Sequence, residues 1–131
     1  MRPGFHTVTP YLIARGASAA IAFYKQAFGA TELMRAPAPG EPEKLMHSEL
    51  EIGDSQIMIA DEHPEFGYVS PLTLGKSPVG IMLYVDDADA TYQRAMQAGA
   101  KSVAPMADKE YGRSGIVEDP FGYQWYITTH K

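Results

Sequence analysis

The stretch EDPFGYQWYITTHK, residues 118–131, decides how the chain is read. Glu118-Asp119-Pro120-Phe121-Gly122 has turn chemistry: Pro120 fixes φ, Gly122 accepts positive φ, and Asp119 can bond the local backbone. Tyr123 to Thr129 is aromatic and β-branched, the composition of a strand. Strand side chains alternate, so Trp125 and Ile127 face one way and Gln124, Tyr126 and Thr128 the other. Trp125 and Ile127 are expected under a helix layer. Tyr126 then looks out of the opposite face.

Working outward, the same grammar appears twice. Phe5 to Ile13 reads as a strand, with Pro10 marking an edge or bulge. A helix over Ala19–Phe28 places Ile21, Tyr24, Ala27 and Phe28 at helical spacing and stops at Gly29. Thr31–Arg35 is a short strand, 36–40 a loop, and Leu45–Ile52 with Gln56–Ala60 a hairpin around Gly53-Asp54. Residues 61–77 read as loop. Then Val79–Val85 is a strand, Asp86-Asp87 caps a helix over Ala88–Ala98, and Gly99 stops it. Strands at 101–104, 113–117 and 123–129 complete the second half. Each half runs βαβββ, which reads as an internal duplication.

Composition narrows the function classes. The chain has 131 residues, 45% hydrophobic and 21% charged, ordinary values for a globular domain. It has no cysteine, which excludes disulfides, thiolate metal sites and a cysteine nucleophile. The 11 basic and 16 acidic residues give a net charge of −5. That argues against nucleic acid, whose phosphates need a basic face, and permits a cationic ligand. No signal-like or membrane-spanning apolar run occurs, so cytoplasmic localisation and no membrane partner are expected.

Hairpin parity adds a pair of ionisable groups. With Gly53-Asp54 as a two-residue turn, Ile52 faces Ser55, Leu50 faces Ile57 and Glu49 faces Met58. Leu50 and Ile57 then lie on the helix-packed face with Met46, Ser48 and Ile59, and His47 and Glu49 share the opposite face. A one-residue slip would bury both charges under the helix. A His-x-Glu pair on one face suits a general base with an orienting carboxylate, or two metal ligands. A solvated strand face is the alternative. His6, His63 and His130 are expected in solvent, and Asp61-Glu62 at a solvated rim.

The doubled βαβββ order, Ala22-Phe23-Tyr24, Tyr84-Val85-Asp86-Asp87 and Glu118-Asp119-Pro120-Phe121-Gly122 resemble the vicinal oxygen chelate superfamily. That group holds glyoxalase I, extradiol dioxygenases, fosfomycin-resistance enzymes and bleomycin-binding proteins. Val8-Thr9-Pro10-Tyr11-Leu12, Ile57-Met58-Ile59-Ala60-Asp61-Glu62 and the closing Trp125 and Thr129-His130 are most similar to its PhnB-like branch. The resemblance implies an α+β fold: one domain over 1–131, with modules at about 5–62 and 77–130. The modules form a curved mixed sheet, a cup, with helices on its convex face. It also implies a homodimer.

In the metal-dependent relatives, the resemblance implies four inward His or Glu ligands, one on each of four strands. Carried over by motif, those positions fall on Thr9, Met58, Gly80 and Tyr126. None is a usual ligand for a hard or borderline divalent metal. The expectation is therefore no metal site and no cofactor. Two functions remain open. One is a metal-free binder of a small molecule, aromatic or cationic, in a cup lined by Thr9, Tyr11, Met58, Met82, Tyr84 and Tyr126, with Arg113 meeting an anionic group. The other is an enzyme of the lyase or isomerase type using His47 and Glu49, with or without a divalent metal.

Overall fold

The computed structural model describes residues 3–130, the side chain of His130 excepted. The first half holds β1 (Tyr11–Ala14), α1 (Ala17–Phe28), β2 (Thr31–Ala38), β3 (Glu41–Ile52) and β4 (Ser55–Asp61). A 3-10 turn (Pro64–Phe66) and the one-turn helix α2 (Pro71–Leu74) lead to the second half. That half holds β5 (Gly80–Tyr84), α3 (Ala88–Ala98), β6 (Lys101–Lys109), β7 (Gly112–Glu118) and β8 (Gln124–His130). Each half closes its own four-stranded sheet, in the orders β1-β4-β3-β2 and β5-β8-β7-β6. The first and last strands of each half pair in parallel, β1 with β4 and β5 with β8. The fold is α+β, and the duplication is visible in topology rather than in residue identity. No helix among the described residues is long and apolar enough to cross a membrane.

The glycine stops work alike in both halves. Gly29 has φ 70° and Gly99 φ 119°, and each lets the following amide reach back to a carbonyl of the last turn (Ala30 N–H to Tyr24, Ala100 N–H to Ala95). The helix starts differ. At α3 the Asp87 carboxylate accepts the Ala90 N–H at 3.1 Å. At α1 the cap residue is Gly16, so the carboxylate comes from β4: Asp61 Oδ1 accepts from Gly16 N at 3.1 Å and Ala17 N at 3.0 Å. A carboxylate there also complements the helix dipole. Asp61 is buried, and its other oxygen takes Leu45 N at 2.7 Å. The expected solvated rim is therefore corrected: Asp61 is a buried cap. Glu62 is half-buried, accepting from Ser70 N at 2.9 Å, from the Thr73 hydroxyl and from Arg15.

Other boundaries move for local reasons. Residues 5–10 are not strand, because the ladder opens only where the Pro10 carbonyl accepts Met58 N–H. The expected loop at 36–40 shrinks to a turn at Pro39-Gly40, with Pro37 accommodated at a register shift between β2 and β3. His63 is 2% exposed, not solvated: its backbone bridges Tyr68, and its ring lies 6.1 Å from Phe66. The His130 side chain lies outside the described residues.

The helices share one core. Ile21, Phe23 and Tyr24 of α1 meet Leu50, Ile57 and Ile59 of the first sheet and Trp125, Val117 and Ile127 of the second. Trp125 is 1% exposed, its ring centroid 4.6 Å from Phe28 and 5.2 Å from Tyr24. Asp119 pins this junction. Its Oδ1 accepts from Phe121 N at 2.9 Å and Tyr123 N at 3.0 Å; its Oδ2 accepts from Tyr24 OH at 2.5 Å and Trp125 Nε1 at 2.8 Å. Burial pushes the Asp119 carboxyl above its ordinary range, and those four donors pull against it. Tyr123 ties the halves a second time, its hydroxyl bonding both N–H and C=O of Ile13 at 2.9 Å.

Candidate functional site

The faces turned away from the helices carry the candidate residues. In the first sheet the register runs Tyr11 to Met58 and Met58 to Glu49, so these three stand in a row across β1, β4 and β3. Leu50 to Ile57 and Ile52 to Ser55 are paired as the turn chemistry requires. His47 joins the row from β3. Its Nε2 lies 2.8 Å from Glu49 Oε2, and its Nδ1 lies 2.8 Å from the Tyr11 hydroxyl. Glu49 is 2% exposed, His47 half-buried and Tyr11 41% exposed, so the chain of bonds runs outward from the carboxylate. Burial, then Tyr68 and Glu49, push the Tyr11 phenol above its usual value, which keeps it protonated.

In the second sheet Met82 is in register with Tyr126 and Tyr84 with Thr128, all on the face that also carries Ile116. Met82 and Tyr84 are exposed. Beneath them the hydroxyls of Ser114 and Thr128 bond at 2.9 Å, and Thr128 reaches Met82 Sδ at 3.3 Å. Gly80 sits against Tyr126: a Cβ built there would lie 2.5 Å from Tyr126 Cε1. The phenol ring thus occupies the space a ligating side chain at position 80 would need.

Residues of β1 in the first sheet and of β5 in the second face one shared hollow. A cavity of about 530 Å³ opens there, lined by Tyr11, Gly80, Met82 and Tyr123, with Val69, Pro71, Leu74 and Lys76 over it. A second hollow of about 800 Å³ continues beyond Pro10, past Met82 and Tyr84. Thr9 lines neither; its hydroxyl is tied to the His6 carbonyl at 3.1 Å. Arg113 is not in the cup. It pairs in register with Thr129, on the Trp125 and Ile127 face, and its guanidinium holds Asp89 at 2.7 Å and Asp108 at 3.3 Å. The anion-meeting role expected of Arg113 has no geometry here.

Sequence reasoning missed Tyr68, Tyr123 and the roof of the cavity. Tyr68 lies with its ring centroid 6.2 Å from that of Tyr11. Tyr68 and the roof come from 61–79, where no alternation assigns a face. Tyr123 reads as the first residue of the last strand, on the Trp125 side by parity, whereas it precedes β8 and lines the cavity.

The four positions where the resemblance puts metal ligands do not suit a divalent cation. Gly80 has no side chain, Met58 offers only a thioether, Thr9 is committed locally, and the Tyr126 ring covers Gly80. Among the described residues no three His, Asp or Glu side chains cluster closely enough to hold a metal ion.

A doubled βαβββ fold with two open sheet faces defines the class to which glyoxalase-type proteins belong. A sequence profile of the Glyoxalase/Bleomycin resistance protein/Dioxygenase superfamily matches residues 4–127, and the chain belongs to that superfamily. Among its relatives, Mycobacterium tuberculosis protein Rv0887c is 42% identical over 124 residues, 92% of this chain and 72% of that one. The crystal structure of PA1353 from Pseudomonas aeruginosa is 26% identical with a TM-score of 0.76, covering 95% of this chain and 98% of that one. A Bacillus cereus structure described as a PhnB protein and putative 3-demethylubiquinone-9 3-methyltransferase shares the fold. Its TM-score is 0.74 at 17% identity, over 95% of this chain and 99% of that one.

Proposed function

We propose that this chain binds a small molecule in a metal-free cup, as a glyoxalase/bleomycin-resistance-like protein. The carrying observation is the 530 Å³ cavity in which Tyr11 of the first sheet and Met82 of the second share one apolar lining. Its volume falls in the range of small-ligand sites, about 300–1,000 Å³. Aromatic rings and methionine suit a planar guest, since thioethers adapt to shape and rings stack. Met58, Tyr84 and Tyr126 extend that surface along the two faces.

The test is a thermal-shift screen of planar aromatic compounds, because a ligand that binds only the folded state raises Tm by mass action. For any hit, Tyr126→Phe is expected to lose about 0.5–1.5 kcal/mol of affinity at most, one neutral hydrogen bond. Tyr126→Ala loses more, through the missing ring contact. Affinity indifferent to Tyr126→Ala and to Met82→Ala would remove the cup from the reading.

The His47–Glu49 bond favours a second reading, acid–base catalysis of the lyase or isomerase type. A carboxylate behind an imidazole fixes its tautomer and stabilises its charged form. If His47 is the base, His47→Ala costs about 10²–10⁴ in rate while ligand affinity stays. We also propose a cytoplasmic homodimer: β1 and β5 are outer strands, and Val8, Val79, Met82 and Tyr84 are exposed along the same seam. Sedimentation at micromolar concentration checks it, with a monomer as the refuting result.

A further inference from the structure

We infer that the Tyr11–His47–Glu49 chain is a recognition device for a hydroxyl group on a planar ring, with the Tyr11 oxygen as the accepting atom. The inference rests on the reading that the cavity takes a small molecule. Each step follows from donor and acceptor chemistry. With Glu49 taken as ionised, its carboxylate only accepts, so the group 2.8 Å from it is the His47 Nε2–H. In the neutral imidazole Nδ1 is then a bare lone pair. With the ring in that form, the Tyr11 hydroxyl, 2.8 Å from Nδ1, gives its only proton to the imidazole. What the Tyr11 hydroxyl then has left to offer is acceptor capacity and no proton to give.

Position decides who meets that oxygen. Of the three residues, Tyr11 alone lines the 530 Å³ cavity, while His47 and Glu49 stand behind it. Tyr11 therefore touches the ligand, and His47 and Glu49 position it. Most of the remaining wall is apolar, Val69, Pro71, Leu74 and Ile81 among it, and among the described residues it holds no carboxylate, so a cationic guest would lose its hydration uncompensated. Lys76 at the same wall further disfavours a cationic donor. A neutral O–H is the donor that fits. Its hydrogen bond would also lengthen an already connected network, in which each bond polarises the next.

The experiment pairs 4-nitrophenol with 4-nitroanisole, the same ring with and without the hydroxyl, titrated at a pH that keeps the phenol protonated. Wild type is expected to prefer 4-nitrophenol by about two- to tenfold, the worth of one neutral hydrogen bond. Tyr11→Phe should erase the preference while leaving 4-nitroanisole affinity in place. A readout independent of any ligand is long-range ¹H–¹⁵N NMR of the imidazoles in wild type and Tyr11→Phe. His47 should be the neutral Nε2–H tautomer, with an Nδ1 shift that moves in Tyr11→Phe. A proton on Nδ1, in the other tautomer or in a doubly protonated ring, would reverse the chain and overturn the proposal, as would equal affinity for the two probes in wild type. If neither probe binds, the small-molecule reading of the cavity falls and the ligand assignment with it. If 4-nitroanisole binds and the hydroxyl earns nothing, only the Tyr11 assignment falls.

Discussion

The two halves share a backbone plan and diverge on their open faces. In the first, Tyr11, His47 and Glu49 form a bonded polar row leading inward to a buried carboxylate. In the second, the equivalent surface is Met82, Tyr84, Ile116 and Tyr126, with its hydroxyl pair satisfied internally. The helix-facing sides have not diverged in this way: both are apolar and both belong to one core. The contrast teaches that the duplicated fold constrains one face by packing and leaves the other free to change its chemistry. Function on this scaffold is therefore read face by face, and the fold by itself specifies none.

The contrast is broken most severely by removing the residue that joins the halves. Asp119→Ala strips acceptors from Tyr24 OH, Trp125 Nε1 and two backbone N–H groups at once. Each buried donor left unpaired costs about 1–3 kcal/mol, so a loss of at least about 3 kcal/mol is expected. Chemical denaturation measures it. Stability within about 1 kcal/mol of wild type would show that the halves do not depend on this junction.

A smaller effect is expected at the apolar face. In Gly80→Ala the new methyl carbon would sit 2.5 Å from Tyr126 Cε1, so the ring must swing away. Overpacking of this kind costs about 1–3 kcal/mol, less where a partly exposed side chain can yield. The sharper readout is at the ligand site: a displaced Tyr126 ring should weaken binding of any thermal-shift hit, and Gly80→Ala combined with Tyr126→Ala should cost little beyond Tyr126→Ala alone. Additive losses from the two substitutions would separate Gly80 from the Tyr126 surface.

Much of this division was legible in the sequence. Alternation placed Trp125 and Ile127 in the core and Tyr126 opposite, because a strand's two faces are fixed by geometry. The hairpin register followed from Gly53-Asp54 and the apolar Leu50 and Ile57, since a slip would bury charge. Where periodicity gave out, so did the reading. Asp61 was placed in solvent because nothing local shows that a strand-end carboxylate will cap a helix 45 residues earlier in sequence. His63 and Tyr68 pair with each other and with Phe66 in a segment without periodicity, so no pattern assigned them a face. Arg113 was carried to the cup by resemblance, and its own strand parity points the other way. The hydrogen bond from Tyr11 to His47 spans 36 residues and depends on the β1–β4 pairing, which residue type cannot announce.

The roof of the cavity gives a pH prediction. The Thr73 hydroxyl, then the Ser70 N–H and Arg15, hold the Glu62 carboxyl at about 2, against an ordinary value of 4.5. A depressed carboxylate contributes stability that is complete above the unfolded value and is lost as pH falls from about 4.5 towards 2. Hydrogen exchange should therefore show the amides of Thr73, Leu74 and Gly75, which close α2 onto Ser70 and Pro71, losing protection in that window before the β7–β8 ladder does. Ligand binding should weaken over the same range. Simultaneous loss across both regions would mean that the roof has no independent opening.

The smallest effect is expected at Arg113. Its ion pairs with Asp89 and Asp108 lie on the outer side, with all three groups largely in solvent, where screening leaves such contacts little weight. The strand that carries it alternates, so the backbone that turns Arg113 outward turns Ser114 inward against Thr128. A charge on the outer face does not reach the guest by contact, and at physiological salt its field is damped over about 8 Å. Arg113→Ala should accordingly leave affinity for both nitroaromatic probes within about twofold of wild type, an effect smaller than the net worth of one hydrogen bond. Anionic and neutral ring compounds should also respond alike. A selective loss of affinity for anionic compounds in Arg113→Ala, measured by titration, would return this arginine to the site and place a binding surface on the face that otherwise only packs.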